Sequence, residues 1–598
     1  MMLEVQPYLP DRRILVDCAM GRIPADLVIR DGRWVCVQTG EIIPGTDIAI
    51  KSGRIAYVGP DASHTLGRDT TIINASGRYL TPGLLDAHMH VESGMLTITE
   101  FVRAVVLHGT TGMFIDPHEV ANVLGLPGVR FMVDEAALQP VHVWVQVPSC
   151  VPATPGFETS GAEFGPVEVT EALSWSGVVG LGEMMNTAGV IGSDYHIHAE
   201  LAAARRAGKV IGGHYPSLDL GLPFHGYLAG GAQDDHEGTR IEDAVARTRQ
   251  GMKAMLRFGS AWYDVAEQIR AVVEMKLDPR HFLLCTDDSH SETLANEGHM
   301  DRVVRFAISQ GVAPVTAIQM ATINTAEHFG LAHEIGQIAP GRVADILLVS
   351  NLVSMQVDTV VARGVVICDQ GRVLTARPVL QRPEWATNSV HLGRPVTAPD
   401  FSLEAPQVSE VTANVIGVIE NQAPTRHLRL KLPVQDGEIR PDIDRDVAKL
   451  AIIERHRGSG RVQVGLVQGF GFKQPCAVGS TVAHDCHQML IVGTDEASMV
   501  VAANTLARCG GGQIVVLRGS VIGLVELPFA GLMSDQPVDI VARSAANLLN
   551  GFKACGCLLN NPNMQLSLLA LTAIPSLRLS DLGLVDVNQF CFIPVVES

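Results

Sequence analysis

The 598-residue chain has no run of about eighteen uncharged apolar residues, the length a membrane-spanning helix needs. Its opening Met1-Met-Leu-Glu lacks a basic stretch followed by an apolar one, so neither an export signal nor a membrane anchor is expected. Basic charge is in deficit. Lys and Arg number 45 against 63 Asp and Glu, a net charge of −18 at pH 7, which argues against nucleic acid or an anionic membrane as a partner. Paired cysteines are also missing. The 11 present are scattered, apart from Cys555 and Cys557, whose spacing is too tight for a metal site; without an export signal they read as reduced thiols of a cytoplasmic protein. No glycine-rich loop is followed by a phosphate-binding lysine, and Gly510-Gly-Gly512 reads as a helix stop.

What is present is a globular composition, 47% hydrophobic and 18% charged, in a chain too long for one core. The first eighty residues alternate apolar and polar positions between glycine turns, as in Asp47-Ile-Ala-Ile-Lys-Ser-Gly53. The same texture returns in Ile335–Val349 and Val357–Val366. These stretches predict one small β-sandwich domain built from both flanks, residues 1–81 and 335–400, of an inserted domain.

Across the insertion, residues 82–334, short apolar runs alternate with helical stretches. The runs are Gly112–Asp116, His142–Val147, Val178–Glu183, Val210–His214 and His281–Asp287; helices are expected at Ser193–Ala207 and Arg240–Arg257. Repeated strand-then-helix predicts an α/β fold, a TIM-like (β/α)8 barrel, with reactive side chains where the strands end. The rival doubly wound sheet lacks its phosphate loop. Beyond the Pro399–Val408 linker, residues 401–598 read as a separate α+β domain, with a helix over Glu496–Arg508 stopped by the glycine run.

Thr81-Pro-Gly-Leu-Leu-Asp-Ala-His88-Met-His90 is the chemical centre of the insertion. Histidines two apart on a strand point the same way. Later strand ends add Glu183, His214, His236 and Asp287. Four imidazoles and two carboxylates exceed what one tetrahedral ion uses, so two divalent ions are expected, with Glu183 placed between them. Such a pair lowers the pKa of bound water, and Asp287 is the candidate to take its proton. Glu237 is a second candidate for moving protons. His118, Glu119 and Asp288 are expected to bind substrate or to orient ligands. His484, Asp485 and His487 are read as hydrogen-bonding groups of the C-terminal domain in preference to a further metal cluster.

Several of these stretches resemble the adenine deaminase family of the amidohydrolase superfamily. They are Pro82–Ser93, Asp116-Pro-His-Glu-Val-Ala-Asn122, Gly182-Glu-Met-Met-Asn186, Asp235-His-Glu237 and Cys285-Thr-Asp-Asp288. The likeness extends through Pro340–Ile346, His484-Asp-Cys-His487 and Gly531-Leu-Met-Ser534, nearly the whole chain. It implies hydrolysis of adenine, a small purine base, to hypoxanthine and ammonia, with Mn2+ or Fe2+ as the metals. One departure is His214-Tyr-Pro-Ser217, where the family has small residues after the histidine; bulky Tyr215 is expected to bear on the substrate pocket. Two rival readings are a hydrolase of another cyclic amidine or amide and a non-catalytic binding relative. The second should have lost ligands, and this chain keeps all six. The sequence leaves the oligomeric state open, with a homodimer among the states it allows.

Overall fold

One hydrogen-bonded sheet joins the two ends of the inserted domain. The structure is a computed structural model and describes residues 12–597. Leu27–Cys36, Glu41–Lys51 and Arg54–Gly59 form an antiparallel meander. Tyr79–Pro82 runs parallel to the first of these and antiparallel to the return strand Ile346–Asn351, with Thr81 opposite Leu347 and Leu80 opposite Leu348. Thr71–Asn74, parallel to the first strand, and three further return strands complete nine in all. The period-two pattern is the cause: Ile48 and Ile50 turn to one face and share a core with Leu27, Ile29, Leu80, Ile346 and Leu348. Residues 1–11 of the expected first segment, and Ser598, lie outside the described residues.

Within this frame five parallel strands pair in sequence order: Leu84–His90, Thr110–Ile115, His142–Val147, Val178–Met184 and Val210–Gly213. Asp234–Asp235, Lys253–Arg257 and Phe282–Cys285 form a second parallel group. The amide of Gln233 donates to the Ile211 carbonyl at 2.9 Å, linking the two groups. Asp287–Asp288 closes the ring on the first strand, Asp288 opposite His90. This is the (β/α)8 barrel. All seven residues of Leu84–His90 are buried, as a strand covered on both faces requires.

The expected helix over Arg240–Arg257 is a correction. A helix spans only Ile241–Arg249, and Lys253–Arg257 is a barrel strand. Gly251, at φ +86°, takes a left-handed conformation that ends the helix, and Ala254–Arg257 pair with Phe282–Cys285. The other expected helix runs Tyr195–Ala207, capped by Asp194, which accepts the amides of His196 and Ile197.

The C-terminal region holds a second nine-stranded sheet. Its helix Glu496–Arg508 lies where the sequence predicts, capped by Asp495 accepting the Ser498 amide. Along the strand Gly512–Leu517, Ile514 and Val516 share a core with Met499 and Leu506 of that helix. Val515 faces the other way, with Leu548 and Phe552 of the helix Val538–Cys555. This region also reaches the barrel mouth. Ser534 exchanges backbone hydrogen bonds with Met95 and Thr97, just past the first barrel strand, and Gln488 donates to the Thr159 carbonyl at 2.9 Å.

Candidate metal centre

His88 and His90 leave the first strand with their rings 4.8 Å apart. Nδ1 of His90 is 2.8 Å from the Asp116 carbonyl, to which it donates. That contact turns Nε2 toward Glu183 Oε1, at 3.5 Å, and Asp287 Oδ1, at 3.3 Å. Nε2 of His88 is buried and has no hydrogen-bond partner. Burial, then the neighbouring His236 and His90, push the His88 imidazole well below its ordinary range, so it is neutral with a lone pair to offer.

Glu183, at the end of the fourth strand, presents its two oxygens to different imidazoles. Oε1 lies 3.1 Å from His118 Nδ1 and 3.5 Å from His90 Nε2. Oε2 lies 2.5 Å from His214 Nδ1 and 3.2 Å from His236 Nε2. The Asp116 carboxylate fixes this residue from behind by accepting the Glu183 amide at 2.7 Å. His236 stacks on His88 with ring centroids 4.0 Å apart. The overlapping donor groups that result include His88, His90 and Glu183; His88, His236 and Asp287; and Glu183, His214 and His236. His118 joins further groups that reach Glu119 and, from the C-terminal region, His484 and Asp485. Nitrogen and carboxylate donors packed this closely, with an unpartnered buried ring nitrogen among them, fit borderline divalent cations.

Asp287 sits at φ +61°, a left-handed backbone that Asp tolerates better than most residues. Burial opposes its charge, but the hydrogen bond from His90 and the charges of His236 and Arg257 hold it far below the usual carboxylate range. Arg257 is the residue sequence reasoning missed. It ends the strand Lys253–Arg257, whose signal in the sequence is Gly251 breaking the helix and then the apolar run Ala254–Leu256 closing on a charged residue. Glu237 stands beside it, its amide donating to Asp235 Oδ1 at 2.6 Å.

The remaining candidates also gather here. His118 and Glu119 open the helix His118–Ala137, with Glu119 Oε2 3.7 Å from His90 Nδ1. Asp288 has both oxygens engaged, by the Ser93 hydroxyl and by the Trp262 indole. Tyr215 corrects an expectation: its ring is 1% exposed, packs on Phe224 and Tyr227, and its hydroxyl donates to the Asp219 carbonyl. The extra bulk is core, because the amide and carbonyl of Tyr215 are held by Asp235 and Arg247 and direct the side chain inward. His484 and Asp485 pair with each other at 3.3 Å, but Asp485 also reaches within 3.9 Å of His118 Nε2, so the C-terminal region faces the centre. His487 stays structural, accepting the Ala483 amide.

Residues 79–372 match the amidohydrolase family, and residues 422–591 match the adenine deaminase C-terminal domain. The chain is 60% identical over 586 residues to an adenine deaminase of Mesorhizobium japonicum, covering 98% of this chain and 97% of that protein. It is 56% identical to adenine deaminase 3 of Rhizobium meliloti, covering 98% of each. The chain belongs to the adenine deaminase family. Adenine deaminases as distant as that of Moorella thermoacetica, 49% identical, are still covered over 99% of their length, so barrel and C-terminal region are shared as a unit. Membership of the amidohydrolase family brings divalent-metal binding, and the donor set described above fits it. Among the described residues no helix is long and apolar enough to cross a membrane.

Proposed function

We propose that this chain hydrolyses adenine to hypoxanthine and ammonia at a pair of divalent ions, Mn2+ or Fe2+, in a cytoplasmic setting. His88, His90 and Asp287 would hold one ion, His214 and His236 the other, and Glu183 both. The observation that carries this reading is the split of Glu183, whose two oxygens serve two separate imidazole sets. When bound, such ions lower the pKa of water toward neutrality.

The side chains then account for the proton traffic. Adding water across the C6–N1 bond of adenine forms a C–O bond and requires a proton at N1. Asp287, ionised and buried, takes the proton from the attacking water. Glu237 is also kept ionised, since Arg257 and the nearby imidazoles outweigh the penalty of burial. It is placed to relay that first proton to N1 and then to carry the second, from the new C6 hydroxyl, to the amino group. The C6–N6 bond breaks, ammonia leaves, and the C6 carbonyl of hypoxanthine forms. Arg257 holds the two carboxylates at a fixed separation throughout. His118 and Glu119 would bind the purine edge.

A comparison of ammonia release from adenine, adenosine, guanine and cytosine under one metal condition tests this. Adenine should lead by at least ~10²-fold, since a site built to pair purine edges rejects bases that leave its polar groups unpaired. Ring opening of a cyclic amide without ammonia release from any purine would replace this reading with the broader amidohydrolase one.

A further inference from the structure

Asp485 belongs to the C-terminal region yet lies at the mouth of the barrel. It is 4% exposed, and its Oδ2 has no hydrogen-bond partner. Its Oδ1 faces His484 Nδ1 at 3.3 Å and His118 Nε2 at 3.9 Å. The far nitrogen of that same His118 ring is 3.1 Å from Glu183. One imidazole therefore separates the Asp485 carboxylate from the hydrolytic centre. Burial raises the cost of its charge, but the hydrogen bond from His484 and the nearby His118 hold the carboxyl below its ordinary range, so it is an acceptor only.

A buried carboxylate oxygen without a donor is costly, and a ligand that brings an N–H there is favoured. A purine whose C6 lies at the metal centre carries its imidazole ring on the side away from the point of attack. In free adenine that ring bears a hydrogen on N9. In adenosine the same nitrogen bears a sugar carbon and offers no donor.

We propose that Asp485, supplied by the C-terminal region, is a specificity-determining residue that accepts the N9 hydrogen of the free base and so selects bases over N9-substituted purines. This rests on the adenine deamination reading. It gives the C-terminal region a task in the reaction: it presents one acceptor to the half of the substrate that does not react.

The test compares adenine with 9-methyladenine in metal-loaded full-length enzyme, wild type and Asp485→Ala, with metal content measured in parallel. Wild type should prefer adenine by at least ~10²-fold in kcat/KM. Asp485→Ala should lose at least tenfold of that preference by slowing adenine alone, about 1.4 kcal/mol, with metal content unchanged. The same variant should bind hypoxanthine and 9-methylhypoxanthine with nearly equal affinity by calorimetry, where wild type separates them. Asp485→Asn keeps an acceptor oxygen and should fall between; it carries the test should the alanine variant not fold. An equal loss for both substrates, or a loss of bound metal, overturns the proposal in favour of a structural or ligand role. Wild-type enzyme that deaminates both substrates equally overturns it while leaving adenine deamination standing. No ammonia from adenine at all removes the underlying reading as well.

Discussion

Nη1 of Arg257 lies 3.0 Å from Oδ2 of Asp287. The same nitrogen is 2.5 Å from Glu237 Oε1, and Nη2 is 2.8 Å from Asp264 Oδ2. One buried cation thus balances three carboxylates. Arg257→Met should leave them uncompensated, lowering stability by about 3–5 kcal/mol. The folded fraction should lose at least ~10²-fold in kcat/KM, because Glu237 and Asp287 then repel and drift. Arg257→Lys, a point charge without the planar fork, should recover part of the stability and little of the rate. Thermal unfolding beside steady-state kinetics checks both; near-normal turnover in Arg257→Met would remove Arg257 from the proton path.

Asp287→Asn preserves shape but cannot accept a proton. Turnover of adenine should fall by at least ~10²-fold while the fold and most bound metal persist. Circular dichroism and elemental analysis establish the second half. A metal-replete variant with ordinary rates would pass the base role to Glu237 or another group.

Elemental analysis of protein loaded with Mn2+ should approach two ions per chain. Glu183→Gln keeps only one anion-free oxygen where two carboxylate oxygens served, and its stoichiometry should drop toward one. Chelation should abolish activity and also lower the unfolding midpoint, since a ligand at 100 times its Kd adds about 2.7 kcal/mol to the native state. Full activity at one ion per chain would refute the two-ion arrangement.

Glu200 offers a pH-dependent prediction away from the centre. It lies in the helix Tyr195–Ala207, 2% exposed, with Oε2 unpartnered. Burial, and then the charge of Asp194, raise its carboxyl to about 8. The folded state therefore keeps a proton that the unfolded chain gives up near pH 4. The stability this group confers is complete below about pH 4 and is lost as pH rises toward 8. Glu200→Gln removes that loss, so its unfolding free energy should match wild type at pH 4 and exceed it at pH 8 by on the order of a few kcal/mol. Parallel free energies across that range would show that Glu200 has no raised pKa.

The centre was legible because a barrel repeats its grammar: an apolar run, then a polar residue where the strand ends. His90, Glu183 and His214 all stand in that position, and the structure brings them together. Lys253–Arg257 escaped because the preceding helix and the strand are both apolar-periodic over too few residues to separate, leaving Gly251 as the lone mark. Asp234–Asp235 is a two-residue strand with no pattern of its own. Asp485 could not be found by periodicity at all. Its approach to His118 depends on how the C-terminal region docks, a contact between residues hundreds of positions apart.

The pairing of Thr81 with Leu347 sets an order of events during synthesis. The strand Tyr79–Pro82 leads directly into the two histidines, yet one of its edges has no neighbour until Ile346–Asn351 emerges. At roughly 5–20 residues per second that edge stays open for tens of seconds while the whole barrel is made. Open edges invite pairing with other chains. The nascent protein is therefore exposed to misassembly at the strand that leads into its first candidate metal ligands, and a segment beyond the barrel ends that exposure.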